Sequence, residues 1–336
     1  MDLQTIEALG KKKYPNYLLL GQEAFLEDYF IKTVKTSLDQ DQDLEISYFD
    51  LTEISIDQVI DEANTFSFFQ PFRLIVVDNF SLLNSQSQVK VSDKSLDYLL
   101  TYIKDPNPDS VIIWRSPNAQ VDKRKKLTKV FLGLKASLDF STLTEKEVET
   151  IVSQKAQMLQ LKIDKGLVKK LLERTLYQLS QSVRELEKLK TYSLSGQPIN
   201  QEVMVALVPR AIESDVFELT KAILSKQVKK ANQIYQDLLL QKHEPIAILA
   251  LIASQFRLMI QVKILQQNGY GQQDMASDLG VHAYRVKLAS QSSSQYPLDQ
   301  LKKLYLYMID MDFQLKTGQT DKDMFFSLVL LHFIRM

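Results

Sequence analysis

A chain of 336 residues with 45% apolar content is long enough for two or three domains, each with its own core. It has no cysteine, which excludes disulfides and thiolate metal sites. Its 41 basic residues balance 41 acidic ones, which argues against nucleic-acid binding by general electrostatics.

The start, Met1-Asp2-Leu3-Gln4, lacks the basic and then apolar stretch of a secretory leader, so a cytoplasmic location is expected. Over residues 1–140 short apolar runs alternate with amphipathic ones, the pattern of a mostly parallel α/β sheet. Three continuous runs read as strands covered on both faces: residues 17–20, 74–77 and 111–114. Helices are expected over 23–38, from the spacing of Phe25, Leu26, Phe30 and Val34, and over 56–64, from Ile56, Val59, Ile60 and Ala63.

The junction Tyr17-Leu18-Leu19-Leu20-Gly21-Gln22-Glu23 reads as strand, loop and helix, the place where nucleotide-binding domains carry a glycine-rich loop and a lysine. Here one glycine remains, and no lysine follows before Lys32. An incoming triphosphate would meet Glu23, Glu27 and Asp28. The 1–140 segment as a whole holds 16 Lys/Arg against 21 Asp/Glu, where a phosphate-binding domain would lean basic. Asp78 ends a buried strand as a magnesium-positioning residue would, but Asn79 follows where a hydrolase needs an acid to activate water. Asp78 is instead expected to cap the following turn. Neither ATP hydrolysis nor a cofactor is expected.

The stretch from Thr65 to Arg73 carries Phe66, Phe68, Phe69 and Phe72 just before a buried strand. Two readings stand. The rings fold under the loop as core, or Phe68 and Phe69 form an exposed plug, worth ~3–6 kcal/mol of gross apolar burial in a partner's pocket. The run Asp122-Lys123-Arg124-Lys125-Lys126 starts a helix that continues through Leu127, Val130 and Phe131. It reads as a solvated face or as a contact with an acidic partner or DNA phosphates.

From residue 143 strand signals fade. Thr144 and Glu147 form a capping-box pattern, Asp164 can cap a helix carrying Leu167, Val168, Leu171 and Leu172, and a third helix carries Leu179, Val183, Leu186 and Leu189. Glu185 with Lys188, and Glu187 with Lys190, are spaced to pair on its wet face. Gly196-Gln197-Pro198 turns the chain, and Pro209 through Asp215 is the best linker candidate.

Residues 211–336 read as all-helical. Pro245 opens a helix whose apolar residues, Ile246 through Met259, run around more than one face, so it is central in a bundle or covered by another subunit. Gln255 and Arg257 interrupt its apolar run short of the ~18 residues a membrane span needs, so no span is expected. Met275 to Val281 followed by Tyr284-Arg285-Val286-Lys287 has the spacing of a helix-turn-helix that could present His282, Tyr284, Arg285 and Lys287 to a major groove; a structural hairpin fits the same residues. His243, His282 and His332 are isolated, which leaves no histidine cluster for a metal.

Taken in order, the 17–23 junction, the phenylalanine-rich stretch before Arg73-Leu74-Ile75-Val76-Val77, the 122–125 run, Glu185-Leu186-Glu187-Lys188-Leu189 and Phe256-Arg257 resemble the delta subunit of the bacterial DNA polymerase III clamp loader. The resemblance covers essentially the whole chain. It implies α/β plus all-α architecture: an AAA+-like parallel-sheet domain without a phosphate loop (1–140), a helical lid (141–210) and a helical collar for oligomerisation (211–336). It implies binding to the sliding clamp through a hydrophobic pair that maps onto Phe68 and Phe69, with Phe66 and Phe72 in support. The implied partners are loader subunits of the gamma/tau and delta-prime type, and primed DNA within the assembly. The alternative is a helix-turn-helix DNA-binding regulator on a degenerate AAA+ scaffold.

Overall fold

The computed structural model describes residues 1–39, 44–65, 72–85, 87, 89–117 and 121–335. They separate into two compact units, Met1–Leu143 and Thr144–Met336.

The first unit runs α1 (Leu3–Gly10), β1 (Asn16–Leu20), α2 (Ala24–Leu38), β2 (Ile46–Asp50), α3 (Ile56–Asn64), β3 (Arg73–Asp78), a 3₁₀ turn (Ser81–Leu83), α4 (Asp93–Lys104), β4 (Ser110–Ser116), α5 (Lys126–Leu132) and β5 (Ser137–Asp139). Among the described residues five strands make one sheet in the order β2-β3-β4-β1-β5, every pair parallel. The three continuous apolar runs are its centre, and β1 is buried at every position. Alternate residues serve one face: Leu18 and Leu20, Ile75 and Val77, Ile112 and Trp114 join Val59 and Ile60 of α3, Leu99 and Ile103 of α4 and Phe131 of α5 in one core. Phe80, Trp114 and Phe131 form its aromatic centre, with ring centroids 4.8 to 5.6 Å apart. The buried indole Nε1 donates to Asn16 Oδ1 at 2.9 Å, so its one polar group is satisfied.

The basic run does not start α5, as expected from sequence. The helix begins only at Lys126, after the turn that the run forms.

The second unit holds α6 (Glu145–Met158), α7 (Lys165–Arg174), α8 (Leu179–Ser193), α9 (Gln201–Leu207), α10 (Ile212–Leu224), α11 (Val228–Leu240), α12 (Pro245–Gln267), α13 (Gln272–Leu279), α14 (Ala283–Ser293), α15 (Leu298–Lys316) and α16 (Phe325–Arg335). The helix starts follow their capping chemistry. Thr144 and Glu147 close a reciprocal capping box, and Asp164 accepts from the Leu167 N–H at 2.8 Å. Glu185 pairs with Lys188 as its spacing predicts, but Glu187 reaches Lys155 of α6 at 3.2 Å rather than Lys190, because α6 packs beside α8 and offers a cation across the helices.

Helix α12 lies at the centre of its bundle, packed against α10, α14 and α15, with Ile248, Leu249, Ile252, Phe256, Met259 and Val262 fully buried. At 23 residues, with a mean hydropathy of 1.7 over its most apolar stretch, it is by length and composition long enough to cross a membrane, contrary to the sequence expectation. The interrupting residues are too few, with Arg257 and Lys263 the only charges, to lower that average. Burial inside the bundle accounts for the apolar character.

The chain's single tryptophan, Trp114, lies in the core of the first unit, so its fluorescence reports that unit alone. Phe131→Ala is expected to lower the stability of that unit by about 3–5 kcal/mol in urea unfolding followed by Trp114 emission. An unchanged midpoint would show that the aromatic centre is not close-packed.

Candidate functional site

In this sheet β1 lies between β4 and β5, and parallel sheets bind ligands outside the carboxyl ends of their strands where the order reverses. That crevice is filled by the chain itself. Gly21 adopts φ +89° and donates its N–H to the Ser116 carbonyl at 3.0 Å. A Cβ there would stand 2.5 Å from the Ser141 nitrogen, so only glycine lets the backbone of 140–141 come this close.

Glu27, on the first turn of α2, is only 3% exposed and pairs with Arg115 of β4. The Arg115 guanidinium also lies 2.9 Å from Asp78 Oδ1 at the end of β3. Asp78 therefore answers Arg115 and does not cap the turn after it. Asn79, left-handed at φ 57°, donates its amide to both Asp50 carboxylate oxygens at 2.9 Å. Those bonds, with further donation from Thr52, hold the Asp50 carboxyl below its usual range. Where a nucleotide site would present a lysine and a divalent cation, one fixed guanidinium neutralises two acids.

Of the phenylalanine-rich stretch, Phe66, Phe68 and Phe69 lie outside the described residues. Phe72 is half-buried, with the Lys13 ammonium 4.9 Å from its ring centroid. Both ends of the stretch are anchored. The Thr65 hydroxyl donates to the Asp61 carbonyl at 2.9 Å, and the Ala63 carbonyl accepts from Asn107 at 2.9 Å and Ser110 at 2.7 Å. On the other side Arg73 pairs with Glu62 and donates its backbone N–H to the Asp109 carbonyl at 2.8 Å. The described residues on either side of the stretch are thereby held close together, with Glu62 and Arg73 paired across it.

The basic run is not a uniform patch. Arg124 folds back onto Asp122 at 2.8 Å, and its guanidinium holds the Asp122 carboxyl well below the usual carboxylate range. Lys125 donates to the carbonyls of Leu82, at 3.0 Å, and Asn84, tying the 3₁₀ turn to the start of α5. Lys123, Arg124 and Lys126 stay exposed.

The 272–293 hairpin forms, with Gly280 left-handed at φ 62° between α13 and α14. Its proposed reading face points inward. Tyr284 packs on Tyr177, with centroids 4.6 Å apart, Lys287 pairs with Glu145 at 2.9 Å, and no residue from 281 to 290 is exposed. A recognition helix needs a free face, and on α14 Tyr284 and Lys287 are already engaged within the fold.

One surface went unread in the sequence. Leu306, Ile309 and Phe313 of α15 are 64%, 44% and 59% exposed, and Leu328 and Leu331 of the adjoining α16 are exposed beside them. The signal was present as a second apolar stripe at i, i+3 and i+7, alongside the buried stripe of Leu301, Leu304, Met308, Met311 and Leu315. Exposed apolar side chains on two adjoining helices make this face a candidate interaction surface.

A family model described as DNA polymerase III, delta subunit, matches residues 17–138, and one described as DNA polymerase III delta subunit, C-terminal domain, matches residues 213–333. A middle-domain model matches residues 144–205. The chain is 33% identical to DNA polymerase III subunit delta of Bacillus subtilis, over 96% of this chain and 93% of that one. The solved structure of the Bacillus subtilis DNA clamp loader delta protein is 32% identical, with a TM-score of 0.81 over 99% of this chain and 100% of that one. The fold is accordingly AAA+-like with a helical C-terminal region.

Arg115→Met leaves the Glu27 carboxylate buried without its cation. The loss expected in Trp114-monitored unfolding is about 3–5 kcal/mol, and Glu27→Gln added to it should recover most of that, since no unpaired charge remains. No recovery would mean that Arg115 acts through packing rather than charge.

Proposed function

The chain belongs to the delta-subunit family of DNA polymerase III, and from that membership we propose that it binds the sliding clamp and holds one of its interfaces open while DNA enters, without hydrolysing ATP itself. The observation that carries this reading is the sequence of the 65–73 stretch, with its four phenylalanines, between flanks joined by the Glu62–Arg73 ion pair at the start of a central strand. Phe68 and Phe69 are the proposed contact, with Phe66 and Phe72 in support. The filled crevice around Gly21 and Arg115 favours a subunit that takes its instructions from ATP bound elsewhere.

Opening is then a matter of differential affinity. A ligand shifts a closed-to-open equilibrium only by the difference in its affinity for the two states, so the pair must fit the open clamp better than the closed one. The three-domain division at about 140 and 210 belongs to the same reading, with residues 141–210 as lid and 211–336 as collar. The apolar face on α15 and α16 is the proposed seat for other loader subunits. Lys123, Arg124 and Lys126 are the exposed cations of the basic run and, with Lys125, the proposed contacts with primed DNA or an acidic partner in the assembly. The cytoplasm is the proposed site of action. The DNA-binding regulator is disfavoured by the inward packing of Tyr284 and Lys287.

Calorimetric titration with the sliding clamp of the same organism tests the contact. Phe68→Ala/Phe69→Ala should cost on the order of 2–4 kcal/mol of binding free energy in a folded protein. Absence of binding by the parent chain, with partner subunits and ATP present, would sink the reading. Phe313→Asp should separate the two functions: loader assembly fails in size-exclusion chromatography while clamp binding persists. Intact assembly would place the subunit contact elsewhere.

A further inference from the structure

The second unit contains two sets of helices that share little. The buried apolar cluster of α10–α16 begins at Val216 and takes in none of the buried residues of α6–α9, such as Leu171 and Leu186. Among the described residues no helix of one set lies along a helix of the other. Two bodies joined so sparingly would be expected to rotate about their linker.

What joins them is concentrated at one corner. Arg174, the last residue of α7, is buried. Its guanidinium donates to the Val208 carbonyl at 2.5 Å and the Val205 carbonyl at 3.1 Å, and its own carbonyl accepts from the Ala211 N–H at 2.9 Å. The linker expected over 209–215 is thereby shortened: Ala211 is held to Arg174, and from Ile212 the chain is already helix α10. The next turn holds two consecutive left-handed residues with side chains, Leu176 at φ 52° and Tyr177 at φ 58°, a conformation that surrounding structure must impose. Here the Thr175 and Ser182 hydroxyls bond at 2.6 Å, and the Tyr177 N–H donates to the Leu172 carbonyl at 2.8 Å.

The outcome of that backbone is the direction of one ring. Tyr177 packs against Tyr284, with centroids 4.6 Å apart, and lies nearly parallel to His282 at 6.0 Å. Lys287 closes the edge. Its ammonium is 2.9 and 3.1 Å from the Glu145 carboxylate oxygens and 5.6 Å from the Tyr284 centroid. Every residue of α14 named here is engaged with α6 or with the turn between α7 and α8.

We propose that this corner, built on Tyr177 and edged by Glu145 and Lys287, sets the angle between the α6–α9 and α10–α16 bundles. Tyr177 is a positioning residue: its left-handed backbone aims the ring, and the ring holds α14. A partner seated on α10–α16 reaches α6–α9 through this contact, whatever that partner is.

The absence of native cysteine makes the angle measurable. Leu194→Cys and Leu240→Cys, at positions 73% and 81% exposed on the two bundles, carry a pair of spin labels on the full chain. Double electron–electron resonance on the labelled parent should give one narrow distance distribution. Tyr177→Ala should shift and broaden it while helix content and amide protection of α12 stay at parental levels, and Tyr177→Phe should restore the narrow distribution. Should Tyr177→Ala fail to fold, Lys287→Met decides: a broadened distribution supports the corner, a parental one overturns it. A broad distribution in the parent, or folded Tyr177→Ala indistinguishable from it, would also overturn the proposal.

Discussion

Two carboxylates, Glu27 and Asp78, meet one guanidinium at the carboxyl end of the sheet, and the geometry of the first unit depends on that meeting. Burial of Glu27 would be strongly unfavourable without a cation, because a lone charge taken out of water loses several kcal/mol of solvation. Arg115 supplies the cation from within β4 and at the same time reaches β3. Helix α2 is thereby fixed over the strand ends that a nucleotide would otherwise organise. The crevice is held by the chain's own charges as a joint, so the contacts proposed for partners are sought elsewhere on the chain.

Much of this architecture was legible in the sequence because it rests on local rules. Continuous apolar runs marked the three central strands, side-chain caps marked helix starts at Thr144 and Asp164, and proline marked the start of α12. Two strands were not legible. β2 is a half-buried edge strand with Tyr48 exposed, so its five residues carry no clean apolar signal, and β5 has only three residues. Helices α1 and α4 are short amphipathic pieces and gave no sequence signal that was read.

The candidate sites were legible in composition but not in orientation. The basic run looked uniform because the carbonyls that occupy Lys125 belong to Leu82 and Asn84, some forty residues upstream. The hairpin at 272–293 had the spacing of a DNA-reading motif, yet its fate was decided by Tyr177 and Glu145, more than a hundred residues away. The 209–215 stretch read as a linker from its proline and polar residues, although α10 already begins at Ile212. Only the fold brings Arg174 against it. In each case the local pattern set what could form, and a distant partner set which way it faced.

The close approach at Gly21 also bears on how such a chain can change over generations. Introducing a phosphate loop here would require a lysine after Gly21, withdrawal of the 140–141 backbone from the space that a wider loop needs, and removal of Arg115 from between Glu27 and Asp78. Taken singly, loss of Arg115 strands a buried acid, and any side chain at position 21 collides with backbone. The order of change therefore matters: Glu27→Gln before loss of Arg115 leaves no stranded acid. The close approach at Gly21 and the shared guanidinium make a phosphate loop costly to introduce at this junction, while residues away from it are free of that constraint.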